Sequence, residues 1–191
     1  MTMEQAPLNY TIRSISENDI TKRFKTGDRA FQPLKSFLQK QAFNFTSSMV
    51  AQTYVCTLLD DKDADTNVVI GYITLTCSEI DLQGTYTLED CEHANQYNSL
   101  PAVKIARLAI DSRYRGGNGL GSELVEIATA IAAEEIAPIA GCRFLVTDAK
   151  PEAIDFYHKN GFTFLDTDEN NNEEHPIMFL DLLAAYEEEA A

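Results

Sequence analysis

The segment 104–121 constrains the fold more than any other part of this sequence. It begins with an apolar run of strand length, passes through a basic turn and enters the glycine-rich stretch 116–121. From Leu120 onward the apolar residues return at helical spacing. A strand, a glycine loop and a helix N-terminus in this order form an anion site, because free backbone N–H groups and the helix dipole point toward the ligand. Glycine has no Cβ and therefore lets the backbone approach a bulky phosphate.

The glycine loop alone leaves two interpretations open: a flexible turn into a helix and a phosphate-binding loop. A P-loop does not fit, because no Lys-Ser or Lys-Thr pair follows the glycines. A dinucleotide-binding motif does not fit either, because no acidic residue closes a second strand at the expected distance. Four cations lie close together in the sequence just before the loop. This clustering favours a positive patch that attracts an anionic ligand over four unrelated surface charges. The four cations are Lys104, Arg107, Arg113 and Arg115.

A second segment, 141–162, repeats the order of strand, turn and short helix, and Gly161 ends the helix. Together the two segments resemble the Gcn5-related N-acetyltransferase (GNAT) superfamily. The first resembles the loop that binds the pyrophosphate of acyl-CoA, and residues 153–162 match an Ala-x-x-Phe-Tyr-x-x-x-Gly-Phe signature. The runs Ala-Arg-Leu-Ala-Ile-Asp before the loop and Val-Thr-Asp-Ala after it also resemble the acetyltransferase toxins of toxin–antitoxin modules.

The resemblance implies the GNAT fold, an α/β (α+β) fold with a mixed, mostly antiparallel sheet, a splayed central strand and helices on both faces. It also implies acetyl-CoA as the acyl donor. In this family, backbone groups of the central strand pair with the pantetheine arm, and the glycine loop binds the pyrophosphate. The residues that the resemblance implies for cofactor binding are Leu108, Ala109, Ile110, Arg115, Gly116, Gly117, Asn118, Gly119, Leu120, Gly121 and Lys150.

Tyr157 matches the tyrosine that protonates the leaving thiolate in many GNAT enzymes, and we expect it to be catalytic. A phenol with a pKa of about 10 suits a proton donor at neutral pH. The alternative is a core aromatic beside Phe156. The strand position at which some relatives carry a basic carboxylate holds Leu145 here. Glu79, Asp81 or a water chain are therefore the candidate general bases.

The loop departs from the family's pattern at one point. The position that usually holds Arg or Gln is Gly116 here, and Arg115 lies one residue earlier. Either the loop has one extra residue and Arg115 keeps its contact, or the contact is lost and CoA binds more weakly. Lys150 stands where many relatives have an Asn that contacts CoA. Arg107 lies in mid-strand, where an unpaired charge is costly, so we expect a carboxylate partner or a position facing the cleft.

The chain as a whole is acidic, with 15 Lys and Arg against 30 Asp and Glu and a formal net charge of −15. Such a surface repels nucleic acid and anionic membranes on average. No apolar run approaches the roughly 20 residues of a membrane span, and the N-terminus lacks a signal-peptide pattern. The sequence therefore predicts a cytoplasmic protein. Three of the four dispersed cysteines lie in or at the edge of apolar strand-like runs, so buried free thiols are expected, and the three histidines are too far apart to suggest a metal site.

The length of 191 residues suits one domain. We expect a flexible tail at 1–8, a single GNAT domain at 9–183 and an acidic tail at 184–191. Helical spacing predicts helices at 32–45 and 120–136, the second ended by Pro138 and Gly141. The segment 79–100 has no pattern that can be assigned. Strands are predicted at 10–15, 53–59, 68–77, 162–165 and 176–182.

These observations predict an acyl-CoA-dependent N-acetyltransferase that moves an acetyl group to an amine of a small molecule or protein by direct attack. Two alternatives stay open: a toxin-type acetyltransferase of aminoacyl-tRNA and a catalytically weak acyl-CoA-binding module. Binding tRNA requires several Lys and Arg to neutralise phosphates, and the visible basic cluster is already assigned to CoA. Nucleic acid is therefore expected only under the toxin alternative. A monomer and a homodimer are both compatible with the sequence, with or without an antitoxin.

Overall fold

A computed structural model describes residues 8–189 of the chain, with side chains as far as residue 185. Residues 1–7 of the expected N-terminal tail and residues 190–191 of the acidic tail lie outside this range. The strands within it are β1 (Tyr10–Ser14), β2 (Gln52–Leu59), β3 (Asp65–Ile80), β4 (Leu100–Ile110), β5 (Phe144–Asp148), β6 (Thr163–Phe164) and β7 (Ile177–Asp181). They form one sheet in the order β1-β2-β3-β4-β5-β7-β6.

The sheet is mixed and mostly antiparallel. The ladders between β1 and β2, between β5 and β7 and between β6 and β7 are antiparallel. β4 and β5 run parallel, with Ala102 opposite Phe144 and Ile105 opposite Thr147. This ladder stops at Ile105, whereas β4 itself continues to Ile110, in agreement with the expected splayed central strand. The expected α/β fold class is confirmed.

The α-helices of the described residues are α1 (Gln32–Lys40), α2 (Ala42–Ser47), α3 (Leu120–Ala130), α4 (Ala137–Ala140), α5 (Ile154–Lys159) and α6 (Leu182–Glu189). The helix expected at 32–45 is divided into α1 and α2, because Gln41 has a φ of −128°, outside the helical range. Its apolar face is as expected, since Phe37, Leu38 and Ala42 are buried. Among all these helices, none is long and apolar enough to cross a membrane.

The second predicted helix is longer than expected. A π-helical segment, Ile131–Ile136, joins α3 to α4. Pro138 does not end the helix, because it follows the π-helical segment, where the regular ladder of hydrogen bonds is already interrupted. Gly141 ends it with a φ of +75°, a conformation that favours glycine.

The chain divides into two compact units, which we call the first unit and the second unit. The described part of the first unit comprises residues 8–74 and 107–124, and that of the second comprises 75–106 and 125–189.

In the first unit, helices cover both faces of the sheet. Phe37 and Leu38 of α1 share a hydrophobic cluster with Tyr72 of β3. A Cβ added to the preceding residue, Gly71, would lie 3.5 Å from Leu124 of α3. Because neighbouring residues of a strand point to opposite faces, α1 and α3 lie on opposite faces of β3.

In the second unit, the segment 79–100 covers part of the core although it has little regular structure. Leu82 and Leu88 are buried in a hydrophobic cluster with Phe179 of β7. Tyr86 packs edge to face on the ring of Phe179, at 5.2 Å between centroids. Irregular backbone with apolar residues at uneven spacing explains why no periodicity could be assigned to this segment.

The four cysteines are free, but their burial differs from the expectation. Cys56 is buried and Cys142 is half-buried, whereas Cys77 and Cys91 are exposed. The prediction of buried thiols is wrong for Cys77 because this residue of β3 points to the solvent side of the strand. Cys91 lies in the irregular segment after β3, outside the strand-like runs on which that prediction depends.

Candidate active site

The glycine loop connects β4 to α3 in the first unit. Gly116, Gly117 and Gly119 have φ angles of +79°, +95° and +68°, in the left-handed region that other residues rarely adopt. All three are exposed, and a Cβ built on any of them would meet no atom within 4 Å. The backbone conformation, and not a lack of space, is therefore the reason for glycine at these positions.

α3 begins directly after this loop. The N–H of Glu123 donates to the carbonyl of Gly119 at 3.1 Å, so the N–H groups of the three preceding residues have no acceptor within the helix. These residues are Leu120, Gly121 and Ser122. Leu120 is 2% exposed and fixes the helix start in the core. N–H groups at the positive end of a helix are what a phosphate-binding loop provides.

A buried carboxylate fixes the basic turn that leads into the loop. Asp111 has no exposed surface, and its oxygens accept hydrogen bonds from Nε and Nη2 of Arg113, at 2.9 and 2.6 Å. The main-chain N–H groups of Arg113 and Lys25 donate to the same carboxylate, each at 3.0 Å. Burial by itself raises the pKa of Asp111, but these hydrogen bonds outweigh burial and the pKa lies below its usual value.

The guanidinium of Arg115 also contacts the protein itself. Its Nη2 donates to the carbonyls of Thr26 and Ile110, both at 3.2 Å, and its Cζ lies 5.3 Å from the ring centroid of Phe31. Of Arg113 and Arg115, the sequence assigns only Arg115 to cofactor binding, and Arg113 belongs to the basic cluster that is expected to attract CoA. Both hold neighbouring segments of the first unit together.

Arg107 has an aromatic partner, whereas a carboxylate partner or a position facing the cleft is expected from the sequence; the second of these stays a prediction. Its Cζ lies 3.7 Å from the ring centroid of Phe37, a cation–π contact that compensates the half-buried charge. No ion pair within residues 8–185 includes Arg107. The other cation of β4, Lys104, pairs with Asp148 at 2.5 Å between Nζ and Oδ2.

The remaining positions assigned to the cofactor lie after or at the ends of strands. Leu108, Ala109 and Ile110 are the last residues of β4. Lys150 follows β5, is half-buried, and accepts the N–H of Ala153 at its carbonyl at 2.8 Å. Contact of these residues with acetyl-CoA stays a prediction.

Tyr157 lies on α5 in the second unit and is 6% exposed. Its ring packs between those of Phe156 and Phe162, each at 5.2 Å between centroids. Burial raises the pKa of the Tyr157 phenol, and a hydrogen bond with Thr147 opposes this only in part. The core interpretation and the catalytic one are therefore compatible, because the packed ring carries a hydroxyl that is neutral at physiological pH.

Residues 55–164 match the family model described as an acetyltransferase (GNAT) domain. The chain belongs to the GNAT acetyltransferase family. The match includes both the glycine loop and Tyr157, and it confirms the expected enzyme class, an N-acetyltransferase that uses acetyl-CoA. A comparison with curated proteins gave no match.

Solved structures of similar fold include those of AtaT and KacT. A tyrosine-to-phenylalanine variant of KacT is 22% identical, with a TM-score of 0.77, and the match covers 94% of this chain and 98% of that one. AtaT complexed with acetyl-methionyl-tRNAfMet is 22% identical, with a TM-score of 0.75, over 93% and 98% of the chains. A variant of the AtaT toxin bound to acetyl-CoA and to the C-terminus of the antitoxin AtaR is 20% identical, with a TM-score of 0.73, over 96% and 99%. At this level of identity the similarity shows the fold.

Sequence reasoning missed a second basic segment beside the glycine loop of this GNAT chain. The carbonyl of Lys25 accepts the N–H of Ser112 at 2.8 Å, and the carbonyl of Arg23 accepts a hydrogen bond from Arg113 at 3.0 Å. Lys22 and Arg29 flank these residues. The four cations of this segment are exposed, and no ion pair of the described residues includes them. The clustering of these four cations can be seen in the sequence. The neighbouring residues, however, give no sign that this segment folds against the turn before the glycine loop.

The charge of the chain is divided unevenly. The first unit carries 11 Lys and Arg against 10 Asp and Glu in its full sequence, a net charge of +1. The second carries 4 against 20, a net charge of −16. The acidic character of the chain is therefore a property of the second unit.

The candidate bases Glu79 and Asp81 line a cavity of about 460 Å³ in the second unit. Ile80 and Leu165, both buried, provide apolar walls. Its other ionisable lining residues are Lys104, Asp148, Glu169, Glu173 and His175. Within the described residues, no group of three or more His, Cys, Asp and Glu side chains is arranged to hold a metal ion.

Proposed function

We propose that this GNAT enzyme transfers the acetyl group of acetyl-CoA to the amino group of an aminoacyl-tRNA. The observation that carries the proposal is the fold shared with AtaT, which has been solved as a complex with acetyl-methionyl-tRNAfMet. The shared fold extends over nearly the full length of both chains. The proposal revises the expectation of a small-molecule or protein amine, for which the sequence offered charge as the main argument.

The charge argument against tRNA weakens once the charges are assigned to their units. Phosphates are neutralised by nearby Lys and Arg, and distant carboxylates are screened at physiological salt. The first unit has six cations within residues 22–40 against the single carboxylate of Asp28. This region, and not the average surface, sets the local potential that a polyanion meets.

The proposed reaction needs few side chains. The glycine loop 116–121 and the free N–H groups at the start of α3, such as those of Leu120 and Gly121, hold the pyrophosphate, and backbone groups of Leu108–Ile110 pair with the pantetheine arm. The neutral amine attacks the thioester carbonyl, so that a C–N bond forms and the C–S bond breaks. Tyr157 gives its phenolic proton to the departing sulfur, while the nitrogen loses its proton to water or to a carboxylate. Because its pKa is raised by burial, the Tyr157 phenol carries its proton at neutral pH.

A second candidate acceptor is a cationic small molecule or a protein amino group. The cavity in the second unit supports it, because acidic side chains such as Glu79 and Asp81 attract an ammonium group. Apolar walls would suit an aliphatic stem attached to that group.

The two candidates are distinguished by following the acetyl label. The purified protein is incubated with radiolabelled acetyl-CoA and either bulk aminoacyl-tRNA, spermidine or a lysine-containing peptide. We expect label on aminoacyl-tRNA, which mild alkaline hydrolysis of the aminoacyl ester releases, and an initial rate of labelling about 10²-fold lower with the Tyr157→Phe variant. Label on spermidine or the peptide alone supports the second candidate. Acetyl-CoA binding without transfer to any acceptor indicates an acyl-CoA-binding module.

A further inference from the structure

The carboxylate of Asp111 occupies an unusual position for an anion site. It lies at the end of β4, a few residues before the glycine loop, and it is buried without exposed surface. A negative charge near a phosphate site weakens binding unless it is neutralised. Here the neutralising group is Arg113, which gives the carboxylate two side-chain hydrogen bonds and one main-chain hydrogen bond.

Asp111 also joins the turn to the basic segment that precedes α1. It accepts the N–H of Lys25, and the next residue, Ser112, donates its N–H to the Lys25 carbonyl. The two segments approach so closely that a Cβ on Gly27, at φ +79°, would lie 3.1 Å from the Cβ of Ser112. One buried carboxylate therefore joins the turn to the basic segment, directly before the glycine loop.

We propose that Asp111 is a positioning residue for the phosphates of acetyl-CoA: it fixes the turn that aims the glycine loop, and it does not itself touch the ligand. The proposal rests on the proposed function only in taking the glycine loop as the phosphate site. A buried carboxylate already saturated by protein donors has no reason to contact a phosphate. Its removal frees the Arg113 side chain and leaves two main-chain N–H groups short of their acceptor.

The test compares two acetyl donors that differ only in the part that the loop holds. Acetyl-CoA carries the pyrophosphate, whereas acetyl-pantetheine keeps the thioester and pantetheine arm without it. For Asp111→Asn we expect KM for acetyl-CoA to rise about tenfold, which corresponds to about 1.4 kcal/mol. We expect kcat at saturating acetyl-CoA and kcat/KM for acetyl-pantetheine to change by less than about twofold.

Asp181 provides a matched control. It is a buried aspartate of the second unit, 6% exposed, and it accepts two hydrogen bonds from Arg143, at 2.7 and 2.9 Å. Asp181→Asn should lower the melting temperature as much as the Asp111 variant does, without changing the preference for acetyl-CoA over acetyl-pantetheine. If Asp111→Asn does not fold, Arg113→Gln tests the same link, because the Arg113 side chain is 42% exposed and tolerates replacement more readily.

The proposal is wrong if Asp111→Asn affects both donors equally, or lowers stability and leaves KM for acetyl-CoA unchanged. A wild-type protein that uses both donors equally well refutes the phosphate site itself and with it the premise from the proposed function. Calorimetric titration with CoA and with pantetheine gives the same comparison without any acceptor.

Discussion

Replacing Tyr157 by phenylalanine separates its chemical role from its packing role. The phenylalanine ring keeps both edge-to-face contacts, at 5.2 Å to Phe156 and to Phe162. Only the hydroxyl is lost. The variant therefore removes the proposed proton donor while it leaves the packing around α5 in place.

We expect Tyr157→Phe to lower the free energy of unfolding only slightly and to lower kcat strongly. The hydroxyl of Thr147 already donates to the carbonyl of Ile105 at 3.2 Å, so loss of its contact with Tyr157 leaves no buried donor without an acceptor. We expect the free energy of unfolding to fall by about 0.5–1.5 kcal/mol, the net value of one hydrogen bond. Loss of a general acid typically lowers kcat by about 10²-fold or more, which equals about 2.7 kcal/mol of barrier.

The assay is steady-state acetylation at saturating acetyl-CoA, with the melting temperature measured on the same preparations. Tyr86→Phe is the control, because the Tyr86 hydroxyl donates to Asp181 at 2.9 Å and its loss removes one hydrogen bond without a proposed chemical role. We expect Tyr86→Phe to retain full kcat. A Tyr157→Phe variant with kcat within a few-fold of the wild type would assign this residue to the core alone.

Two further predictions concern the loop and the response to pH. Gly119→Val and Gly141→Val both place a side chain at positive φ in open space, +68° and +75°, and each should cost about 1–2 kcal/mol of stability. Only Gly119→Val should abolish acetyl-CoA binding, and calorimetry showing equal affinity for the two variants would refute the loop assignment. The hydrogen bond to Glu123, together with burial, raises the pKa of Tyr10 to about 12, so its contribution to stability is present below about pH 10 and is lost as the pH rises through about 12. The melting temperature of Tyr10→Phe should therefore fall less steeply than that of the wild type between these pH values, and parallel curves would contradict this reasoning.

The acceptor was the least accessible part of the function from sequence. Net charge is a sum over the whole chain, and it predicted a surface that repels tRNA. In the structure the excess of carboxylates belongs to the second unit, whereas the unit with the glycine loop is close to neutral. Residues of one unit come from separate stretches of sequence, so a running composition could not reveal this division.

The sequence by itself determined the glycine loop, the start of α3 and the helix that carries Tyr157. Gly116, Gly117 and Gly161 have positive φ angles, which glycine adopts more readily than other residues. Because this is a local property of the backbone, a glycine in the sequence is enough to suggest it. Helical and strand periodicity are also local properties, so most helices and strands could be predicted. The errors lie at Gln41 and around the π-helical segment, because the backbone departs from regular geometry there.

Only the tertiary structure decided what the charged side chains of the site do. Asp111 accepts a hydrogen bond from a residue 86 positions away in the sequence. Arg115 and Arg113 donate hydrogen bonds to residues 89 and 90 positions away. Arg107 lies over the ring of Phe37 in α1. A charge near a glycine loop looks in the sequence like a phosphate ligand, because motifs record only neighbours along the chain. The partner of such a charge depends on which distant segment folds against it. For Arg113 and Arg115 this is the basic segment that precedes α1.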